Sequence, residues 1–201
     1  EALEHLVSEL SNSVPNAPPI KVRVIDQKDV NAFAAPGGNI IVFSKLIDTA
    51  ATPDELAGVI AHEMGHVVKR HPTQGLVRAI GIDIVLKIVF GGSGATSSVA
   101  SLGSGIYQLQ YGREYERAAD EFAIHALHEA HISNRGFLDF FFKLQKDEKE
   151  SSSKFLSYLS THPETQERIA AIKNSENTYS PRQIITVTQW KALKHICTSK
   201  N

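Results

Sequence analysis

The sequence predicts a mostly helical α+β domain with a small sheet near its N-terminus. Three observations carry that expectation. Alternating apolar and basic residues, and a Pro-Gly-Gly turn between two apolar runs, are confined to positions 20–43. Beyond position 44 the apolar residues recur at helical spacing, in segments punctuated by proline and by capping residues. The chain of 201 residues is 42% hydrophobic and 21% charged, which supplies one real core and excludes a disordered chain.

Leu3, Leu6, Val7 and Leu10 mark a first helix over Ala2 to Val14, stopped by Pro15, and Asn16 to Pro19 form a break. Ile20 to Ile25 alternates apolar and basic residues and reads as a strand with one buried face. Asn31 to Ala35 and Asn39 to Phe43 flank Pro36-Gly37-Gly38 and predict a hairpin. Thr52 is a capping residue, Pro53 fits the first helical position and Glu55 stands three residues on. That helix should run to about Arg70, where Pro72 stops it, with Leu56, Val59, Ile60 and Val67 as its buried stripe.

Leu76 to Phe90 reads as a further helix and Gly91 to Gly105 as a Gly/Ser-rich segment. A long helix is expected over roughly Ile106 to Ala130. Another follows Ser133, with Phe137, Leu138, Phe141, Phe142 and Leu144 turned inward. Glu148 to Ser153 is a polar connector, and Thr161-His162-Pro163-Glu164 repeats the capping logic before a helix holding Arg168, Ile169 and Ile172. Ile184 to Cys197 reads as a short extended piece and a last helix. One domain over 1–175 with an extension over 176–201 packed on it accounts for these segments.

Lys and Arg total 21 against 22 Asp and Glu, so no global field grips a phosphate backbone and nucleic acid is not an expected partner. A single cysteine, Cys197, excludes a disulfide framework and reads as inert. The most apolar stretch, Leu76 to Phe90, is interrupted by Arg78, Asp83 and Lys87, whereas a spanning helix needs about 20 mostly apolar residues. The chain opens on Glu1 rather than Met, so a mature or trimmed chain is expected, with any targeting segment outside it.

The chemistry lies in His62-Glu63-Met64-Gly65-His66, inside the well-capped helix. Residues four apart share a helix face, so both imidazoles can converge on one ion. Two histidines leave a zinc ion room for a third protein ligand and a water. Glu63, one step round the helix, is placed to take a proton from that water. A longer three-histidine pattern is absent, because Lys69 and Pro72 stand where Gly and His would be. His71, five residues past His66, points off the ligand face of a continuous helix and reads as a helix-end histidine. The third ligand must come from elsewhere. Glu116 and Asp120, also four apart, offer an inward carboxylate and a partner for a histidine's other ring nitrogen, although spacing alone favours Glu116 no more than Glu114 or Glu121. Small Ala118 and Ala119 would let the two helices approach closely. His125, His128 and His131 lie three apart but fit a solvated face better than a second metal site, and Trp190 reads as core.

These motifs together resemble peptidase family M48, which contains HtpX, the CAAX prenyl protease and BepA-like envelope proteases. The resemblance rests on His62-Glu63-Met64-Gly65-His66, on Glu116-Arg117-Ala118-Ala119-Asp120, on Asn31-Ala32-Phe33-Ala34-Ala35-Pro36-Gly37-Gly38, and on Thr161-His162-Pro163 with Arg168 and Ile169. It spans about residues 20 to 172 and implies a gluzincin-type zincin fold, with the small sheet beside the motif helix.

It further implies one Zn²⁺ per chain held by His62, His66 and Glu116, with Glu63 as general base and Asp120 supporting a ligand. His162 is implied to face the metal, either stabilising the tetrahedral intermediate or blocking the open position in a latent state, and Arg168 to arrange that region. The implied activity is a zinc metalloendopeptidase acting on unfolded or misassembled envelope proteins, in a bacterial periplasm or envelope. The rival is a latent chaperone or adaptor that binds unfolded chains with His162 on the metal. A strand beside the motif helix is expected to pair with extended substrate, the candidate being Asn39, Ile40, Ile41 and Val42, or the hairpin partner. Leu76 to Gly105 is read as core helix and loop, with a lid or a membrane-surface contact through Leu76 to Phe90 as alternatives.

Overall fold

A computed structural model of the chain describes residues 1–80, 111–150, 153–163, 166–175 and 180–196. The expectations for positions 81–90, 91–105 and 106–110 and for Cys197 lie outside them.

Helix α1 (Ala2–Asn12) buries Leu3, Leu6, Val7 and Leu10, the stripe its spacing predicts. Strands β1 (Lys21–Ile25), β2 (Ala32–Ala35) and β3 (Asn39–Phe43) form one sheet in the order β1-β3-β2. β2 and β3 are the predicted hairpin, with Ala35 opposite Asn39 and Ala32 opposite Val42. Gly37 and Gly38 have φ of 80° and 78°, a left-handed backbone open to glycine, and the Asn39 side-chain amide closes the turn on the Pro36 carbonyl at 2.9 Å. β1 then adds to the far side of β3 in parallel, Lys21 beside Asn39 and Ile25 beside Phe43. Its outward Lys21, Arg23 and Ile25 are exposed while Val22 and Val24 are half-buried, as expected of a charged edge.

After the short α2 (Ser44–Thr49), the motif helix α3 (Pro53–Val68) starts where the sequence places it. Thr52 Oγ1 accepts from the Glu55 amide at 3.2 Å, and Glu55 reaches back to the Ala51 amide rather than to Thr52. The apolar stripe proves to be only part of its buried surface, because every residue from Glu55 to Val67 is buried. α3 is the axis of the molecule, packed between the sheet, α5 (Arg113–Glu129) and α6 (Arg135–Lys149). Such a helix needs small residues where neighbours press on it. A Cβ on Gly65 would stand 2.8 Å from both the Cα and the carbonyl oxygen of Ala119, so α3 and α5 touch backbone to backbone there.

Several boundaries differ from expectation. Pro72 does not end a helix. The chain leaves α3 at Lys69, turns through Arg70 at φ 58°, and enters α4 (His71–Ile80) with Pro72 in the first turn, where its missing N–H costs nothing. α5 begins at Arg113, because Gly112 is extended at its N-cap and Tyr111 is tied to the Thr161 carbonyl. On α6 Phe137, Leu138, Phe141 and Leu144 are buried as expected, but Phe142 is 39% exposed and Phe140 is buried in its stead, since residues 137, 140, 141 and 144 share the face toward α3.

A helix missed in the sequence, α7 (Leu156–Thr161), follows the polar connector. Thr161 closes that helix, its hydroxyl donating to the Tyr158 carbonyl at 3.0 Å, instead of capping the next one. α8 (Gln166–Asn174) and α9 (Val187–Lys194) complete the chain, α9 with a reciprocal cap between Thr186 and Gln189. Trp190 is half-buried against the core. No helix among the described residues is long and apolar enough to cross a membrane.

Candidate metal centre

Three segments far apart in the chain meet at one buried point. α3 brings His62, Glu63 and His66, α5 brings Glu116 and Asp120, and the end of α7 with α8 brings His162 and Arg168; all seven side chains are buried. His162 is the C-cap of α7, so its side chain leaves a helix end held in two ways. Ser157 accepts from the Asn31 side chain at 3.1 Å, fixing α7 to the hairpin, and the Thr161 carbonyl accepts from Tyr111.

The donor atoms converge. His62 Nε2 lies 3.1 Å from His66 Nε2, 3.5 Å from Glu116 Oε2 and 3.4 Å from His162 Nδ1. Glu116 Oε1 lies 3.3 Å from His66 Nε2 and 3.1 Å from His162 Nδ1. Four ligands at zinc bond lengths in a tetrahedron stand about 3.3 Å from one another, so these separations are the edges of such a shell. His62, His66, Glu116 and His162 are the one group among the described residues with metal-holding geometry. His125, His128 and His131 are exposed and do not form another.

Buried polar atoms without a close hydrogen-bond partner cluster at the same point: both oxygens of Glu63 and His162 Nε2. Leaving such groups unpaired costs about 1–3 kcal/mol each, more for charged groups. A cation bound among them fits that deficit, and the two-imidazole, one-carboxylate donor set suits zinc.

Electrostatics separate the two motif histidines. Burial lowers the pKa of His62, but hydrogen bonds with Asp120 and Glu116 outweigh it and lift the group to about 9. Burial holds His66 well below its ordinary value, with Glu116 opposing. Burial pushes the Glu63 carboxyl up, against the pull of His162, His62 and, least, the Ala34 amide on β2. Glu116 feels the same burial, yet His162, His62 and His66 hold it well below the carboxylate range.

Behind these groups Asp120 Oδ1 stands 2.9 Å from His62 Nδ1. Arg168 grips Asp120 through Nε at 2.6 Å and Nη2 at 2.8 Å, while its Nη1 reaches Glu116 Oε2 and the Pro163 carbonyl, each at 2.7 Å. One guanidinium thus ties α8 to the two buried carboxylates of α5 and to the residue after His162.

Two features depart from the sequence reading. β3 is the central strand, paired on one side with β1 and on the other with β2, so the expectation that Asn39, Ile40, Ile41 and Val42 offer an open edge is corrected. The outer strands β1 and β2 are the two edges of the sheet among the described residues, and of these β2, the hairpin partner, lies at the centre, with Ala34 beside Glu63. His71 is the second. It is buried rather than at a solvated helix end, with Nδ1 2.9 Å from His66 Nδ1. Burial holds it down to about 4.

Reasoning on a continuous helix missed this, because the left-handed residue Arg70 turns His71 back toward the centre. Tyr111, stacked on His66 at 4.0 Å, was also missed; an aromatic before the long helix gave no periodic signal. A cavity of about 140 Å³ adjoins the centre, lined in part by Tyr111, Glu116, Ile124, Pro163 and Arg168.

The sequence matches Peptidase family M48 over residues 1–176. It is similar to the metalloprotease LoiP of Escherichia coli, 33% identical over 86% of this chain and 68% of that protein. A putative beta-barrel assembly-enhancing protease of Vibrio cholerae is 30% identical over 90% of this chain and 39% of its own length. The mitochondrial metalloendopeptidase OMA1 of Arabidopsis thaliana is 31% identical over 74% of this chain and 30% of its own length. The chain therefore spans about two thirds of the first of these relatives and well under half of the other two.

Proposed function

The chain belongs to peptidase family M48, a metallopeptidase by that membership, and from that premise we propose that it is a zinc endopeptidase whose Glu63 is the general base. The observation that carries this reading is a buried carboxylate, without a close hydrogen-bond partner and raised in pKa, beside a four-donor shell of zinc dimensions. His62, His66 and Glu116 hold the ion, one per chain. Bound there, zinc supplies Lewis acidity that makes a water nucleophilic near neutral pH and polarises a scissile carbonyl.

Glu63 takes the proton of the attacking water and later delivers it to the leaving amine; its raised pKa suits both transfers. Asp120 accepts from His62 Nδ1–H and keeps the other nitrogen's lone pair turned inward. Arg168 neutralises Asp120 and the outer face of Glu116 while anchoring the segment that carries His162. His162 Nε2, 3.4 Å from Glu63 Oε1, is placed to donate to the oxyanion.

An extended polypeptide would pair with the open edge of β2, where backbone groups read extension rather than side chains. The cavity of about 140 Å³ beside the centre has room for one substrate side chain. Such a site suits unfolded chains. Misassembled envelope proteins in a bacterial periplasm are the proposed substrates, a reading supported by the beta-barrel assembly-enhancing proteases among the relatives. Residues 1–175 form the peptidase domain, a bound supported by the family match over 1–176, and 176–201 an extension whose Ile185 and Leu193 pack into the same core.

A second reading has one observation behind it. His162 Nδ1 stands among the donors as a fourth ligand would, as in a latent site or a binding module for unfolded chains.

The experiment is digestion of an unfolded protein by zinc-loaded wild type beside Glu63→Gln and His162→Ala, with metal content measured in each. Cleavage by wild type, with loss of about 10²–10⁴-fold in a Glu63→Gln protein that keeps its zinc, is the expected result. A silent wild type awakened by His162→Ala would establish latency. Undiminished cleavage by Glu63→Gln would remove the base assignment.

A further inference from the structure

His66 and His71 face each other through like atoms. Their Nδ1 atoms are 2.9 Å apart, a hydrogen-bond distance, and both rings are buried. Two bare lone pairs at that distance would repel, and two N–H groups would collide, so one hydrogen lies between them. Whichever ring carries it, the tautomer of the other nitrogens follows. A hydrogen on His71 Nδ1 leaves His66 protonated at Nε2, pointing an N–H at Glu116 Oε1. A hydrogen on His66 Nδ1 leaves His66 Nε2 with a lone pair aimed among the converging donors.

We propose that His71 is the positioning residue for His66: as the Nε2–H tautomer it accepts the His66 Nδ1 hydrogen and thereby holds His66 Nε2 as a metal-ready lone pair. This rests on the reading that His66 is a ligand.

The surroundings are built to hold the acceptor still. The His71 ring stacks on Tyr115 at 4.2 Å between centroids and 17° between planes. Tyr115 donates its hydroxyl hydrogen to Gln74 Oε1 at 2.7 Å, and Gln74 Nε2 donates to the Lys69 carbonyl at 2.9 Å. The Arg78 guanidinium sits 5.1 Å over the Tyr115 ring. Tyr115 of α5, held by Gln74 and Arg78 of α4, thus covers one face of the His71 ring, and Tyr111 stacks on His66 itself. The two ligand histidines are supported asymmetrically. His62 leans on the carboxylate of Asp120, whereas His66 leans on an imidazole. The neutral partner fixes a tautomer without adding a fourth buried carboxylate beside Glu63, Glu116 and Asp120.

The test compares zinc affinity, by competition with a chelator, in the wild-type chain and in His71→Ala, His71→Gln and His71→Phe. It adds nitrogen-15 NMR of the zinc-loaded wild type. Removing an outer partner of a metal-bound histidine lowers affinity about 10–100-fold, the loss expected for Ala. Gln, whose Oε1 accepts a hydrogen bond, restores most of it. Phe keeps the stack on Tyr115 but accepts nothing, so it should bind as weakly as Ala.

Tight binding by the Ala or Phe variant would overturn the proposal, the latter by reducing His71 to packing. The NMR spectrum needs no variant to fold: a hydrogen on His66 Nδ1 supports the assignment, and one on His71 Nδ1 overturns it. His66→Ala separates the two levels, because undiminished zinc binding there would remove His66 as a ligand and not merely its support.

Discussion

Gly65 of α3 and Ala119 of α5 meet at a spacing that leaves no room for a single methyl group, 2.8 Å from added Cβ to backbone. Helix propensity favours Ala over Gly by about 1 kcal/mol, whereas overpacking costs about 1–3 kcal/mol. Here the obstacle is backbone in a buried helix, so the steric cost should win. Gly65→Ala is expected to lower stability by about 1–2 kcal/mol, read by urea unfolding. It should also weaken zinc binding, since Glu116 lies one turn before Ala119. Stabilisation would mean that the helices are not packed so closely.

Removing Arg168 takes from the buried carboxylates of Asp120 and Glu116 the guanidinium that they share. Breaking such a buried pair typically costs about 3–5 kcal/mol, so Arg168→Met should unfold far more easily than wild type. Lys, a point charge, cannot reproduce four directed contacts and should rescue little. There is a pH signature as well. Burial raises the Asp120 pKa and Arg168 outweighs it, leaving the group below its ordinary 3.8. A depressed carboxylate stabilises the fold above its unfolded pKa and loses that contribution as pH falls through the folded one. Without Arg168 only His62 still opposes burial, so the depression shrinks and acid unfolding should begin at higher pH. An unchanged acid midpoint would contradict this.

In the metal-free chain His62 holds its proton up to about 9, from an unfolded value of 6.5. A raised folded pKa stabilises fully below the unfolded value, and the contribution is lost as pH rises through the folded one. The chelated protein should therefore lose stability between pH 7 and 9. Zinc needs the deprotonated ring, so binding at pH 7 should release about one proton and tighten about tenfold per pH unit. Calorimetry in buffers of different ionisation enthalpy measures both. Proton-independent binding would remove the charged His62.

Chelation should lower the unfolding temperature reversibly. At free zinc 100-fold above its dissociation constant the bound ion stabilises by about 2.7 kcal/mol, a shift readily seen in a thermal melt. Equal melting temperatures with and without zinc would mean that the ion binds no better to the folded chain than to the unfolded one.

The motif helix was legible because its signals are local: Thr52, Pro53 and Glu55 set its start, and the four-residue spacing of His62 and His66 sets a shared face. The hairpin was legible through Pro36-Gly37-Gly38. What sequence could not give were the relations that depend on a single dihedral or on distant pairing. Arg70 at φ 58° reverses the position of His71, and nothing in its side chain announces that conformation. The order β1-β3-β2 depends on a parallel pairing between β1 and β3, strands separated in sequence by β2, so the edge could not be assigned. Glu116 stood level with Glu114 and Glu121 by spacing; α5 turns only Glu116 of the three into the buried centre. On α6 the run Phe140-Phe141-Phe142 carries no helical phase of its own, so packing against α3 decides which of its ends turns inward.

The centre also has a consequence in time. Its facing groups are 58, 100 and 46 positions apart, for His62 with Asp120, His62 with His162 and Glu116 with His162. No nascent stretch of this chain can assemble it, and the last contributors, His162 and Arg168, leave the ribosome after the rest. An enzyme whose proposed prey is unfolded polypeptide is itself such prey while being made. By drawing its proposed cutting site from positions 62–66, 116–120 and 162–168, the chain acquires teeth only once those three segments have packed against one another.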